Sequence, residues 1–126
     1  MIYLCNTVSK TMFRDPRVKE INEPITESQF ISLLHKNKFK SAIGHEPIAK
    51  CVSKIVGKNI EKNRINLNLD YKDKIVLISV DGRLPENPEL VEWRDKLNFA
   101  YIRLEKQTEN DMLKTIKEIK KLTMEA

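Results

Sequence analysis

Residues 75–80 read IVLISV, an unbroken apolar run that begins after Asp73-Lys74 and ends at Asp81-Gly82-Arg83. A continuous apolar run of this length, rich in β-branched residues, is typical of a strand that is covered on both faces. Such strands lie in the middle of α/β sheets. The run therefore predicts a central strand and an α/β fold.

Further extended segments are predicted on both sides of this strand. IYLC at residues 2–5 and FAYIRLE at residues 99–105 are β-prone runs that predict two more strands. RINLNLDY at residues 64–71 alternates apolar and polar side chains, which predicts a half-buried strand with Tyr71 facing inward. Residues 11–24 contain two prolines and show no clean period, so this segment is predicted to be irregular.

Helices are predicted from capping residues and apolar spacing. Thr26 with Gln29 forms a capping box, and Gly57 is a natural terminator for the helical pattern that follows Pro47. Thr108 is predicted to cap a final helix that packs on the domain through one stripe and exposes its lysines. The apolar stripe of that helix consists of Met112, Leu113, Ile116 and Ile119. A short helix starting at Pro88 is also predicted, with inward positions Leu90, Trp93 and Leu97.

The interleaving of strands and helices predicts a single α/β domain with a mixed central β-sheet flanked by helices. The length of 126 residues suits one domain. The domain proper is assigned to residues 1–106, and residues 107–126 are assigned to an added C-terminal helix.

Composition limits the classes of function. The net charge of +5 favours an anionic partner but does not establish one. No apolar run approaches the roughly 20 residues that span a bilayer, and the N-terminus lacks the features of a signal peptide. We therefore expect a cytoplasmic protein without a membrane partner. Cys5 and Cys51 are widely spaced, which predicts two reduced thiols rather than a metal site.

The stretch SAIGHEPIAKC, residues 41–51, places His45 directly before a predicted helix with Pro47 in its first turn. A helix N-terminus presents unpaired N–H groups and partial positive charge, which suit an anion. Gly44 would allow a close backbone approach or a left-handed turn. His45 could then exchange a proton with a bound phosphate. The alternative is a plain helix start with a solvated imidazole.

A second candidate is DGRLPE, which follows the central strand, because ligands of α/β sheets bind at carboxyl ends of strands. There Arg83 could hold a phosphate through two hydrogen bonds, and Glu86 could orient a histidine. The alternative is a surface loop in which the two side chains pair only with each other.

Other polar residues have weaker signals. Arg64 begins an extended segment and could reach the sheet edge, or could be one more solvated base. Asn6 and Ser9 follow the first strand as ordinary turn residues. No Walker A, GxGxxG or HExxH pattern occurs, and no carboxylate cluster is available for magnesium. We expect no cofactor and no metal.

Taken in order, IYLCNT, SAIGH, KNRI and RLPE resemble the small viral anti-CRISPR ring nucleases of type III systems, over about residues 1 to 104. The resemblance implies a ring-nuclease-like α/β domain that binds cyclic tetra-adenylate at a homodimer interface. It implies a metal-independent phosphodiesterase, which cuts the ring into linear di-adenylates ending in 2′,3′-cyclic phosphate. Long nucleic acids are not expected as partners.

The resemblance also implies roles for individual residues. His45 would be the general acid, Arg83 would hold the scissile phosphate, and Glu86 would support the histidine. The implied ligand-binding residues are Asn6, Gly44, Arg64 and, as a weaker candidate, Ser9. Glu46, Pro47 and Ile48 stand where the family commonly has an aspartate followed by hydroxyl side chains, and its usual glutamine before RLxE is replaced here.

Two other functions stay open at this point. A non-catalytic protein could use the same basic cleft to sequester a cyclic nucleotide or to bind nucleic acid. A purely structural dimer would use Gly44 and His45 only to start a helix.

Overall fold

The computed structural model describes residues 1–82 and 93–124. They form a single α/β domain with one mixed sheet, as the alternation of patterns predicts. The strands are β1 (Ile2–Cys5), β2 (Lys19–Ile25), β3 (Phe39–Ser41), β4 (Lys74–Val80) and β5 (Leu97–Glu105). The helices are α1 (Glu27–Lys36), α2 (Glu46–Val56) and α3 (Glu109–Met124). Short 3-10 turns occupy Lys10–Met12 and Arg94–Lys96.

The predicted central strand is confirmed, because β4 lies in the middle of the order β2-β5-β4-β1-β3. It runs parallel to β1 and antiparallel to β5. Ile75, Val76 and Ile78 are completely buried. Because β3 is also parallel to β1, three strands end at one edge of the sheet.

The two faces of the sheet are covered differently. On one face, α1 and α2 place Phe30, Leu34 and Val52 against Val76 and Ile78 of β4. On the other face, the described residues that cover the sheet belong to irregular chain. Its apolar side chains there include Phe13, Leu67 and Leu69, which pack with Ile75 and Ile102.

The prediction of a strand at residues 64–71 is wrong. This segment is extended but lies across the sheet, with a single isolated bridge between Phe13 and Leu69. Leu67 and Leu69 are buried as their alternation predicts, whereas Tyr71 is 37% exposed. Alternating apolar and polar residues indicate an extended segment with one buried side. The pattern is the same for a strand within the sheet and for an extended chain packed over the sheet.

The prediction that residues 11–24 are irregular is wrong for their second half. Residues 19–25 form β2, which pairs along its whole length with β5. Pro24 is tolerated because β2 is an edge strand, where one side of the backbone has no partner strand to hydrogen-bond. The helix predicted from Pro88 falls mostly on residues outside the described ones, and Leu97 begins β5.

The helix boundaries follow the capping signals. The Gln29 backbone N–H donates to Thr26 Oγ1 at 3.1 Å, and the Thr26 N–H donates to Gln29 Oε1 at 2.9 Å. Gly57 ends α2 in the left-handed region, with φ of 73°. The Asp111 N–H donates to Thr108 Oγ1 at 3.1 Å, which confirms the cap of α3.

The packing predicted for α3 is wrong, because none of its residues is buried. Leu113, Ile116 and Ile119 are 50%, 48% and 53% exposed. An apolar stripe predicts that a helix face needs a cover, but it does not identify which surface provides that cover. None of the helices in the described part of the chain is long and apolar enough to cross a membrane.

Candidate functional site at the carboxyl edge of the parallel strands

Three polar segments meet where the parallel strands end. Asn6 directly follows β1, residues 42–45 follow β3, and Asp81 with Gly82 follows β4. Since β1 lies between β3 and β4, these segments are neighbours at one edge of the sheet. This edge is where open α/β sheets bind ligands.

A cleft of about 260 Å³ opens at this edge. It brings together four candidate residues from distant positions in the sequence, namely Asn6, Gly44, His45 and Arg64. The remaining lining residues are Thr7, Met12, Ala42, Ile65 and Leu67. The lining contains both polar and apolar side chains, which suits a ligand with a charged part and an apolar part.

Asn6 connects the end of β1 to the turn that carries His45. The Gly44 backbone N–H donates to Asn6 Oδ1 at 3.0 Å, across 38 positions of sequence. The Ala42 N–H donates to the Leu4 carbonyl oxygen at 2.8 Å, which continues the pairing of β1 with the exit of β3. These two hydrogen bonds hold the backbone of residues 42–44, which leads directly to His45.

Gly44 allows Arg64 to lie directly against the backbone. A Cβ atom at position 44 would be 3.4 Å from Arg64 Nε and 3.8 Å from Arg64 Cβ. In the described ranges, only Gly57 and Gly82 have positive φ. Gly44 therefore does not form a left-handed turn, and its missing side chain leaves room for Arg64 beside the backbone. A Cβ atom here would touch the Arg64 side chain at about van der Waals distance, so a larger side chain would compete with Arg64 for this space.

Asn63 holds this arrangement from the other side and was missed as a separate candidate. Its backbone N–H donates to the Ile43 carbonyl oxygen at 2.8 Å, and its Nδ2 donates to the Ser41 carbonyl oxygen at 2.7 Å. The Ser41 hydroxyl donates to the Glu61 carbonyl oxygen at 2.9 Å. The KNR motif contains Asn63, but only the fold shows that this residue attaches Arg64 to the turn.

His45 is the N-cap residue of α2, and its exposed side chain makes no capping hydrogen bond. Its carbonyl oxygen accepts from the Ala49 N–H at 3.1 Å, so the backbone begins the helix while the imidazole faces the cleft. Pro47 occupies the first turn, as predicted. The positive end of the helix dipole adds to the charge of Arg64 in attracting an anion.

Of the other proposed site residues, only Ser9 is among those that the structure describes. Ser9 does not line the cleft, and its hydroxyl lies 2.8 Å from Thr11 Oγ1 at the start of a 3-10 turn. Arg83 and Glu86 lie outside the described residues. Their roles therefore stay predictions. The described chain leaves β4 at the edge of the sheet where the cleft lies.

The two cysteines are buried free thiols in this part of the fold. Burial raises the pKa of Cys5 to about 12 and also raises the pKa of Cys51. A raised pKa keeps a thiol protonated and unreactive near neutral pH. Within residues 1–82 and 93–124, no group of three or more His, Cys, Asp or Glu side chains could hold a metal ion.

A family model described as STIV B116-like matches residues 2–93, which include every residue of the cleft. The chain belongs to the STIV B116-like family. Two viral relatives support this membership. The uncharacterized protein ORF117 of Acidianus two-tailed virus is 32% identical over 92 residues, which are 71% of this chain and 78% of that protein. The uncharacterized protein 26 of Sulfolobus islandicus filamentous virus is 31% identical over 86 residues, covering 68% and 73% of the two chains.

A solved structure has the same fold. B116 of Sulfolobus turreted icosahedral virus superposes with a TM-score of 0.71 and covers 81% of this chain and 97% of its own. Its sequence identity of 22% supports the fold alone. The match to the STIV B116-like family ends at residue 93, so α3 lies beyond it.

Proposed function

We propose that this protein is a ring nuclease that cleaves cyclic tetra-adenylate into linear di-adenylates with 2′,3′-cyclic phosphate ends. Cleavage of this second messenger would switch off type III CRISPR signalling. The observation that carries the proposal is the cleft in which the uncapped His45 imidazole, Arg64 and a helix N-terminus meet. These groups supply a proton donor and positive charge at one place.

The chemistry needs no nucleophile from the protein. A ribose 2′-oxygen of the substrate attacks the adjacent phosphorus, its proton passes to solvent, and the bond from phosphorus to the 5′-oxygen breaks. His45 donates a proton to that 5′-oxygen as it leaves. The protein must hold the 2′-oxygen, phosphorus and 5′-oxygen in line, which a rigid turn fixed by Asn6 and Asn63 supports.

Charge stabilisation is the second requirement. The ring carries four phosphates, and negative charge develops on the phosphoryl oxygens during attack. In this proposal Arg83 holds the scissile phosphate and Glu86 supports His45, while Arg64 and the N-terminus of α2 bind the ligand. Hydrogen bonds between charged groups of this kind are stronger than neutral ones.

The size of the cleft supports a shared ligand. Its volume of about 260 Å³ is below the roughly 300–1,000 Å³ of pockets for drug-sized molecules. A cyclic tetranucleotide is larger than such a molecule and has two-fold symmetry. Two protomers related by a two-fold axis would therefore enclose it together, each supplying one His45.

The test is incubation with cyclic tetra-adenylate in EDTA, with separation of the products. We expect cleavage by the unmodified protein, and a rate lower by about 10²- to 10⁴-fold in His45→Ala with binding retained. The matched control is His35→Gln. His35 Nε2 donates to the Val56 carbonyl oxygen at 2.7 Å, at the opposite end of α2 from His45. Equal rates for His45→Ala and unmodified protein would contradict the proposal.

One observation favours a non-catalytic alternative, in which the protein binds the ring without cleaving it. Pro47 lacks an N–H group and Glu46 is acidic, so the first turn of α2 offers fewer donors for the charge that develops on a phosphate during cleavage, while Arg64 stays available for binding. Tight binding with intact ring after long incubation would establish this alternative. If the protein neither binds nor cleaves the ring, both functions are excluded.

A further inference from the structure

Several residues that line the cleft have no part in the chemistry proposed above, and most of them are apolar. The apolar ones are Met12, Ala42, Ile65 and Leu67, which together are called the apolar lining. Leu67 belongs to the hydrophobic cluster on the irregular side of the sheet, and the other three pack against that cluster. Neither a phosphate nor a transferred proton gains from contact with such a surface. The apolar lining is therefore available to another part of the ligand.

Hydrogen bonds within the protein hold the apolar lining in place. The Leu69 N–H donates to the Met12 carbonyl oxygen at 2.8 Å, and the Arg14 N–H donates to the Leu69 carbonyl oxygen at 2.8 Å. The Met12 N–H donates to the Ser9 carbonyl oxygen at 3.0 Å, and the Ser9 N–H donates to Met12 Sδ at 3.2 Å. A lining that is fixed in this way needs little reordering when it receives a ligand.

A cyclic oligonucleotide offers the cleft three chemically different parts. Its phosphates carry charge and its riboses carry hydroxyl groups, whereas the faces of its bases are planar and apolar. Of these parts, the base gains most from contact with the apolar lining. The sulfur of Met12 also makes favourable contacts with aromatic rings. A cleft of about 260 Å³ is too small for the whole ring, so each cleft receives a base and its neighbouring phosphate.

We propose that the apolar lining is the subsite for one adenine base of the ring, and that Met12 determines its preference for a purine. This proposal rests on the proposed function, because it takes the ligand to be a cyclic oligonucleotide. Arg64 lines the same cleft and holds the phosphate beside that base. A purine has two fused rings and a pyrimidine has one, so a purine buries more apolar surface against the lining.

Met12 is the member of the apolar lining that is best suited to substitution. Its side chain is half-buried, whereas Leu67 is only 9% exposed and supports the core. The bond between Met12 and Leu69 uses the backbone oxygen of Met12, so it is kept when the side chain is changed. Substitution at Met12 therefore changes the surface offered to the base with little effect on the fold.

Two rings with the same phosphates and sugars test the subsite, namely cyclic tetra-adenylate and cyclic tetra-uridylate. Their dissociation constants are measured by calorimetry on the full chain carrying His45→Ala, so that the rings stay intact during the titration. We expect the adenylate ring to bind about tenfold more tightly than the uridylate ring. Met12→Ala should reduce this preference by about two- to tenfold, because the sulfur contact is lost. Met12→Leu keeps an apolar side chain of similar size and should retain most of the preference.

Two control variants separate the contact with the base from other effects. Met112→Ala makes the same chemical change on α3, outside the cleft, and should leave both dissociation constants unchanged. Arg64→Gln should weaken binding of both rings by the same factor, because the two rings carry the same phosphates. Circular dichroism checks that each variant is folded.

The results that would overturn the subsite are specific. Equal affinities for the two rings would do so, as would a Met12→Ala variant that weakens binding of both rings equally. If neither ring binds, the subsite and the proposed function both fail.

Cleavage of cyclic tetra-adenylate by protein with its native His45 is measured separately, so that the two proposals are told apart. Cleavage without a preference for adenylate would remove the subsite and leave the ring nuclease proposal standing. A preference for adenylate that depends on Met12, without cleavage, would support the subsite and favour the non-catalytic alternative.

Discussion

At the scale of single residues, Asn6 has a positioning role that its place after a strand did not indicate. Asn6 Oδ1 accepts the Gly44 N–H, and that turn leads directly to His45. We expect Asn6→Leu to destabilise the protein by about 1–3 kcal/mol, because a partly buried N–H loses its acceptor. Thermal unfolding measures this loss.

Asn6→Asp is the matched control for that prediction. It keeps an acceptor oxygen at the same position, so the stability should stay closer to that of the unmodified protein. It also adds negative charge to a cleft proposed for an anion, so ligand affinity should fall. Equal destabilisation by both substitutions would show that the Asn6 to Gly44 bond is not the cause.

Arg64 is the described residue whose charge most directly tests anion binding. We expect Arg64→Gln to weaken binding of cyclic tetra-adenylate about tenfold and to reduce its dependence on salt, because one phosphate contact is lost. Arg17→Gln changes the net charge equally at a residue that pairs with Asp15 and does not line the cleft. Titration of both variants at two salt concentrations measures the effect, and equal weakening would indicate only long-range charge.

The family resemblance implied that Asn6, Gly44, His45 and Arg64 contribute to one site, and these four residues line one cleft in the structure. The role of Asn63 could not be predicted from the residues, because its two bonds depend on how residues 58–64 pass beside β3. Hydrogen bonds between distant segments leave no periodic signal in a sequence.

At the scale of elements, the end of α2 depends on the left-handed backbone of Gly57. Gly57→Ala should lower the free energy of unfolding by about 1–2 kcal/mol, since a Cβ atom is unfavourable at positive φ. Gly57→Asn should cost less, because asparagine tolerates this region. Denaturant titration measures both variants, and equal stabilities for Ala and Gly at this position would contradict the assignment.

Elements with strong local signals could be predicted, and elements defined by distant pairing could not. Capping residues at Thr26 and Thr108 predicted where helices begin. Whether β2 or residues 64–71 form a strand of the sheet depends instead on a partner strand alongside. β2 has such a partner in β5, and residues 64–71 have a single isolated bridge. Neither proline content nor alternation contains that information.

At the scale of the whole molecule, the buried thiol of Cys5 connects global unfolding to alkaline pH. Burial raises its pKa from 9.0 to about 12, so the folded protein keeps a proton that the unfolded chain loses. This contribution to stability is fully present below pH 9 and is lost progressively as the pH rises from 9 towards 12. Cys5→Ala should therefore lose stability less steeply across this range.

Denaturant titrations at several pH values between 7 and 10 measure this difference. At pH 7 the variant should be less stable, because a buried side chain has been shortened. Parallel pH profiles for the two proteins would contradict the assignment to Cys5. Other groups that titrate at alkaline pH are common to both proteins and cancel in the comparison.

The α/β class and its central strand could be predicted because an apolar run of strand length identifies a doubly covered strand. The exposure of α3 could not be predicted. A stripe such as Ile116 and Ile119 has the same sequence whether its cover lies in the same chain or in another molecule.

The wide separation in sequence of the segments that build the cleft has a consequence for how the cleft forms. Asn6 and Gly44 are 38 positions apart, and β1 pairs with residues that begin at Lys74. Such non-local contacts form late and together during folding. A substitution that weakens the sheet should therefore reduce the fraction of molecules that bind the ligand, while each molecule that is still folded binds it with unchanged affinity.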